Sequence, residues 1–141
     1  MKKILFAALL LGAGCFATYA DLKPAVRVAT VADDDIRAEI KFDTLHADLG
    51  TFSSKAPKQK CQFKFTNTGG APLVIQQVLA SCGCTVPTYP KAPIKPGQSG
   101  VIEITYNGTN KFPGKFRKTV TVRSNARTEI VRLVVSGMMT E

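Results

Sequence analysis

The sequence predicts an all-β domain over residues 36–137, a sandwich of two antiparallel sheets with about seven strands. Three observations predict it. Apolar and polar residues alternate with period two in run after run, which puts the apolar set on one face of a strand. Short clusters of Gly, Pro and Asn separate these runs and read as turns. Nowhere after residue 20 do apolar residues recur at helical spacing. Seven short strands in sheets with one wet face, over about 100 residues, fit an immunoglobulin-like sandwich. A small barrel is the runner-up.

Two segments precede the domain. Residues 1–20 read as a signal peptide, with Lys2 and Lys3 ahead of the uncharged, mostly apolar Ile4–Phe16, and Thr18-Tyr19-Ala20 as a cleavage site before Asp21. The apolar stretch falls short of the roughly 20 residues that span a bilayer. The lipoprotein alternative would cleave before Cys15 and acylate it; Gly12-Ala13-Gly14 has the small residues for this, but Gly12 stands where Leu is usual. Residues 21–35, with Asp33-Asp34-Asp35, lack periodicity and read as an acidic flexible spacer. The expected place is the periplasm or cell envelope of a bacterium, with the membrane touched only through a lipid on Cys15.

The strands follow in order. Ile36 to Phe42 alternates, and Lys60 to Thr66 does so more cleanly, with Cys61, Phe63 and Phe65 on one face and Lys60, Gln62 and Lys64 on the other. Thr68-Gly69-Gly70-Ala71-Pro72 is a turn, and Leu73 to Leu79 is the next strand. After the turn Lys95–Gly100, Ile102, Ile104 and Tyr106 alternate with Glu103 and Thr105, and Asn107-Gly108 opens a connection. Phe116 to Ser124 puts Val120 and Val122 inside and Arg117, Thr119, Thr121 and Arg123 outside; Ile130 to Ser136 closes the fold. A weaker seventh strand falls at Thr44–Gly50 or at Thr85–Tyr89, and residues 138–141 are a C-terminal tail.

Several of these segments, taken in order, are characteristic: His46-Ala47-Asp48-Leu49-Gly50-Thr51, Phe63-Lys64-Phe65-Thr66-Asn67-Thr68-Gly69, Pro72-Leu73-Val74-Ile75, Ser81-Cys82-Gly83-Cys84-Thr85, Ile94-Lys95-Pro96-Gly97 and Gly114-Lys115-Phe116. Together they resemble domain-of-unknown-function family 1573, exported bacterial proteins marked by a Ser-Cys-Gly-Cys-Thr segment. The resemblance covers about residues 38–137. It implies an immunoglobulin-like sandwich similar to pilus-chaperone and motile-sperm-type domains, and it implies no activity. Cys61 lies outside the family pattern.

The chain carries 19 Lys and Arg against 10 acids, a formal net charge of +9. The charge is lopsided, with four basic and seven acidic residues over 21–54 and thirteen and three over 55–141. An exported chain meets lipid phosphates, acidic glycans and other proteins rather than nucleic acid. Lys60, Lys64, Arg117 and Arg123 are the outward cations that an anionic envelope component would use; the plainer reading is a solvated, solubilising surface.

Chemistry concentrates at Cys82-Gly83-Cys84, which reads three ways. The pair ligates a soft ion such as copper or half of a zinc site, acts in thiol–disulfide exchange, or is structural, with Cys61 bridged to Cys82 or Cys84 and one thiol left over. The last pairing is expected because Cys61 and Cys82 lie towards the same end of two strands joined by the Thr68–Pro72 turn. His46 is the only histidine. It would complete a Cys₃His metal set with Cys61, Cys82 and Cys84, or else it is a surface residue. Met138-Met139 are soft ligands or a frayed end. Asn107-Gly108-Thr109 is a glycosylation sequon but a turn first, and Asp43-Thr44-Leu45 resembles a bacterial O-glycosylation site. The basic body holds only Glu103, Glu129 and Glu141, so it offers no acid/base pair of the glycosidase kind. The expectation is a non-enzymatic module without cofactor that binds another envelope protein or an anionic envelope component. The alternative is a copper- or zinc-binding or thiol-active protein.

Overall fold

The structure, a computed structural model, describes residues 36–141. The expected signal peptide, its lipidation alternative at Cys15 and the expected acidic spacer fall outside the described residues. The rest is all β: β1 (Ile40–Phe42), β2 (His46–Ser53), β3 (Lys58–Asn67), β4 (Ile75–Ala80), β5 (Thr85–Thr88), β6 (Ser99–Asn107), β7 (Gly114–Ser124) and β8 (Ile130–Thr140). They form two four-stranded sheets, the first ordered β1-β3-β6-β5 and the second β2-β8-β7-β4. This is the expected immunoglobulin-like sandwich.

Four details correct the sequence reading. Both weak segments are strands, β2 and β5, so the count is eight. The first strand is only Ile40–Phe42, after which the chain crosses to the other sheet and runs on as β2. There β2 pairs parallel with β8, so the second sheet is mixed. The tail at 138–141 belongs to β8 up to Thr140, and Met139, far from fraying, is buried.

The core is the inward set of the alternating runs: Phe63 and Phe65 of β3, Ile102 and Ile104 of β6, Val120 and Val122 of β7, and Leu133 and Val135 of β8. Antiparallel register seats Phe63 opposite Ile102 and Phe65 opposite Gly100. A methyl group on Gly100 would stand 2.5 Å from the Phe65 ring, so the glycine makes room for the aromatic. At one end of the sandwich Tyr106 of the first sheet stacks on Phe116 of the second, with centroids 4.1 Å apart.

Buried Asn67, at the end of β3, shapes the crossing that follows. Its Nδ2 donates to the carbonyls of Ala71 (2.8 Å) and Ile94 (2.9 Å), while its Oδ1 accepts from the N–H groups of Gly69 (3.1 Å) and Glu39 (3.3 Å). The segment Thr68–Pro72 is therefore not a hairpin turn. It carries the chain from β3 in the first sheet to β4 in the second.

Candidate functional site

Cys82-Gly83-Cys84 sits where the chain passes from β4, an edge of the second sheet, to β5, an edge of the first. Both sides of the passage are pinned by backbone chemistry. Ser81 N–H donates to Thr119 O (2.9 Å) and Thr119 N–H to Ser81 Oγ (3.2 Å), which fixes the exit from β4 onto β7. Asn107 N–H donates to Cys84 O (2.7 Å), which fixes the entry to β5 beside β6, and Thr85 N–H closes a turn on Cys82 O (3.2 Å). Within this frame Cys82 and Cys84 are disulfide-bonded, their Cα atoms 5.3 Å apart. Gly83 is exposed, and a side chain there would meet nothing within 4 Å. Both cysteines are partly exposed, and the hydroxyl of buried Thr85 lies 3.5 Å from Cys82 Sγ and 3.9 Å from Cys84 Sγ.

The expected bridge from Cys61 to Cys82 or Cys84 is absent; Cys61 is a free thiol. The reason is topological. β3 and β4 lie in different sheets, and when the chain returns as β5 it pairs with β6, which separates it from β3. Cys61 sits opposite Ile104 on the core side of β3, and burial pushes its thiol from 9.0 up to about 11. It stays protonated at neutral pH and is a poor nucleophile. Alkylation of Cys61 in the oxidised folded chain is therefore expected to be slow at pH 8 and to accelerate towards pH 11. Rapid, complete labelling at pH 8 would contradict the burial. Because the folded value is the raised one, the unfolded chain ionises first, and this thiol weakens the fold as pH climbs from 9.0 to about 11.

The Cys₃His set does not assemble. The Cys82 and Cys84 sulfurs are bonded to each other, and exposed His46 of β2 hydrogen-bonds Ser136 Oγ through Nε2 (2.8 Å). Among the described residues no three His, Cys, Asp or Glu side chains come together as a metal site. Met139 is packed in the core and Met138 is half-buried. Asn107 Oδ1 accepts from Thr109 N–H (3.0 Å), the turn that Asn-Gly announces, and the exposed Thr44 hydroxyl donates to His46 O (2.9 Å).

The four outward cations do not share a face. Lys60 and Lys64 project from β3 on the outside of the first sheet, whereas Arg117 and Arg123 project from β7 on the outside of the second, the far side of the sandwich. Lys60 is also paired with Glu103 at 2.9 Å, and the hydrogen bond and charge of its ammonium hold that carboxyl below the usual range.

A second feature lies on the opposite edge of the molecule and was not legible in the sequence. Most strand edges are blunted: β1 has three residues, β5 carries Pro87, and the registers of β2 and β4 break at Asp48–Thr51 and Ile75–Gln77. β8 differs. Its ladder with β2 begins at Val134, so among the described residues Ile130–Leu133 has β7 on one side and no strand on the other. Beside this open edge is a groove of about 420 Å³ walled by Ile40 and Phe42 of β1, by Leu45 and by Ile130, with Lys41 and Arg132 at its rim. Leu45 and Ile130 are 52% and 51% exposed. They are distant in sequence, and only the crossing from β1 to β2 brings them together.

No curated protein matches the chain. Among solved structures, a protein of unknown function from Porphyromonas gingivalis superimposes with a TM-score of 0.63 at 16% identity, over 76% of this chain and 50% of that one. The chain thus spans half the length of that protein. The PapD-like (ASH) domain 7 of human CEP192 gives 0.60 at 9% identity, over 74% of this chain and 87% of that one. The periplasmic chaperone SfaE gives 0.55 at 11%, over 72% and 57%. At such identities the likeness is one of fold. A likeness of sequence accompanies it, because the family described as protein of unknown function (DUF1573) matches residues 40–139, and the chain belongs to that family.

Proposed function

We propose that the protein is a non-enzymatic binding module of the bacterial envelope that holds an extended segment of another exported protein against the open edge of β8. The observation that carries this is the coincidence of unpaired backbone and exposed apolar side chains at one place. A peptide strand laid along Ile130–Leu133 would satisfy the free N–H and C=O groups of that edge. Its alternate side chains would cover Leu45, Ile130 and Phe42, and an acidic flank would suit Lys41 and Arg132. Support for the envelope comes from the signal-like Met1–Ala20. Support for a protein partner comes from the chaperone-like fold, and from a groove lined by apolar rather than catalytic side chains.

Photo-crosslinking in living cells tests it. A benzophenone side chain in place of Leu45 is expected to capture a discrete partner, and Ile130→Asp to abolish the adduct. The same probe in place of Phe112, which is exposed and away from the groove, should capture nothing comparable. Equal adducts from both positions, or none from Leu45, would overturn the proposal. So would an adduct that survives Ile130→Asp but disappears between low and physiological salt, which would mark an anionic polymer held by exposed cations.

A further inference from the structure

We propose that Cys82–Cys84 is an exchangeable disulfide that oxidises a pair of cysteine thiols on an exported protein, at a site on the opposite edge of the sandwich from the β8 groove. Four observations converge. The bond spans a single glycine, and the stabilisation a crosslink gives by restricting the unfolded chain grows with the length of the loop it closes, so this one contributes least of all to the fold. The frame does not need it either, since Ser81 and Cys84 are tied to Thr119 and Asn107 by backbone hydrogen bonds. Its sulfurs are partly exposed, and at Gly83 no side chain covers the turn. Finally, the Thr85 hydroxyl is nearer to Cys82 Sγ (3.5 Å) than to Cys84 Sγ (3.9 Å), so it is placed to donate to a thiolate forming on Cys82.

That asymmetry orders the chemistry. A thiolate of the partner attacks Cys84 Sγ, and its electron pair forms the new sulfur–sulfur bond. The Cys82–Cys84 bond breaks, and its pair goes to Cys82 Sγ, where Thr85 donates a hydrogen bond and solvent supplies a proton. The second thiolate of the partner then attacks the partner's own sulfur in the mixed disulfide, and Cys84 leaves and is protonated. The partner has lost two electrons and two protons to become a disulfide, and Cys82 and Cys84 are now thiols. Cys61 takes no part, because β6 lies between its strand and β5 and its thiol stays protonated.

The test uses the oxidised full chain. With reduced glutathione at pH 7.5, the native disulfide is expected to open at a rate within about tenfold of that in the urea-unfolded chain, as an accessible disulfide should. Thr85→Val should slow the opening about three- to tenfold, the worth of one hydrogen bond, and Thr85→Ser should restore it, with circular dichroism unchanged. At equilibrium in a glutathione redox buffer, the mixed disulfide on Cys84 in Cys82→Ser should be more stable than that on Cys82 in Cys84→Ser, because the Thr85 hydrogen bond makes Cys82 the better leaving group. A reduced, unfolded model protein with two cysteines should gain one disulfide for each Cys82–Cys84 consumed. Native opening a thousandfold slower than unfolded, indifference to Thr85→Val, or no disulfide gained by the dithiol protein would each overturn the proposal.

Discussion

Asn67→Ala is expected to destabilise the domain by about 4 kcal/mol, within the range set by orphaning several buried polar groups at about 1–3 kcal/mol each. Asn67 is fully buried, and its amide is shared by four main-chain groups from three segments: Glu39 ahead of β1, Gly69 and Ala71 in the crossing, and Ile94 ahead of β6. Alanine removes both donors and the acceptor at once, leaving all four main-chain groups without this partner. Gly69 adds to the constraint, because a Cβ there would collide with the backbone of Arg37 and Glu39, and backbone cannot yield. Asn67→Asp should fare no better, since it keeps an acceptor, loses the donors and buries a charge. Exposed Thr68→Ala is the control and should stay within about 0.5 kcal/mol of the parent. Urea unfolding monitored by circular dichroism measures all three. A loss below about 1 kcal/mol for Asn67→Ala would show that the amide does not hold the crossing.

Asn67 also shows where sequence reading stops. Thr68-Gly69-Gly70-Ala71-Pro72 after Asn67 looks like a turn, and a turn between two alternating runs looks like a hairpin. Nothing local distinguishes a hairpin from a crossing between sheets, because the difference lies in hydrogen bonds to Glu39 and Ile94, remote in sequence. That one ambiguity propagated to the site. Treating β3 and β4 as neighbours brings Cys61 towards Cys82, whereas separate sheets leave Cys61 alone and let Cys82 close on Cys84. The strands themselves were legible wherever one face is wet, as in β3, β6 and β7, since burial on one side only is what period two records. β2 was weak because its register breaks between Asp48 and Thr51, near Gly50 at φ 68°, and a bulge shifts the alternation by one residue. Thr85 was adjacent to the pair all along, and its role needed only the turn that points its hydroxyl at both sulfurs.

Phe65→Ala should cost about 3–5 kcal/mol, the usual penalty for deleting a fully buried aromatic ring, and its coupling to Gly100 gives the sharper result. In the parent, Gly100→Ala would place a methyl carbon 2.5 Å from the ring's Cζ and about 3 Å from both Cε atoms. The ring cannot simply slide away, because Phe42 packs against it at 5.5 Å between centroids and Ile102 and Ile104 of β6 fill the same layer. Overpacking of this kind costs about 1–3 kcal/mol. With Leu at position 65 the side chain no longer reaches over β6, and the methyl added by Gly100→Ala fills part of the space the ring vacates. Phe65→Leu alone should therefore destabilise, and adding Gly100→Ala should leave stability unchanged or raise it. The pair would then couple by about 1–3 kcal/mol in a double-mutant cycle, in the range found for residues in contact. Strictly additive losses would mean that Gly100 is required for its backbone rather than for the ring. Its ladder position opposite Phe65 argues against that, since its φ does not lie in the left-handed range seen at Gly50, Gly97 and Gly114.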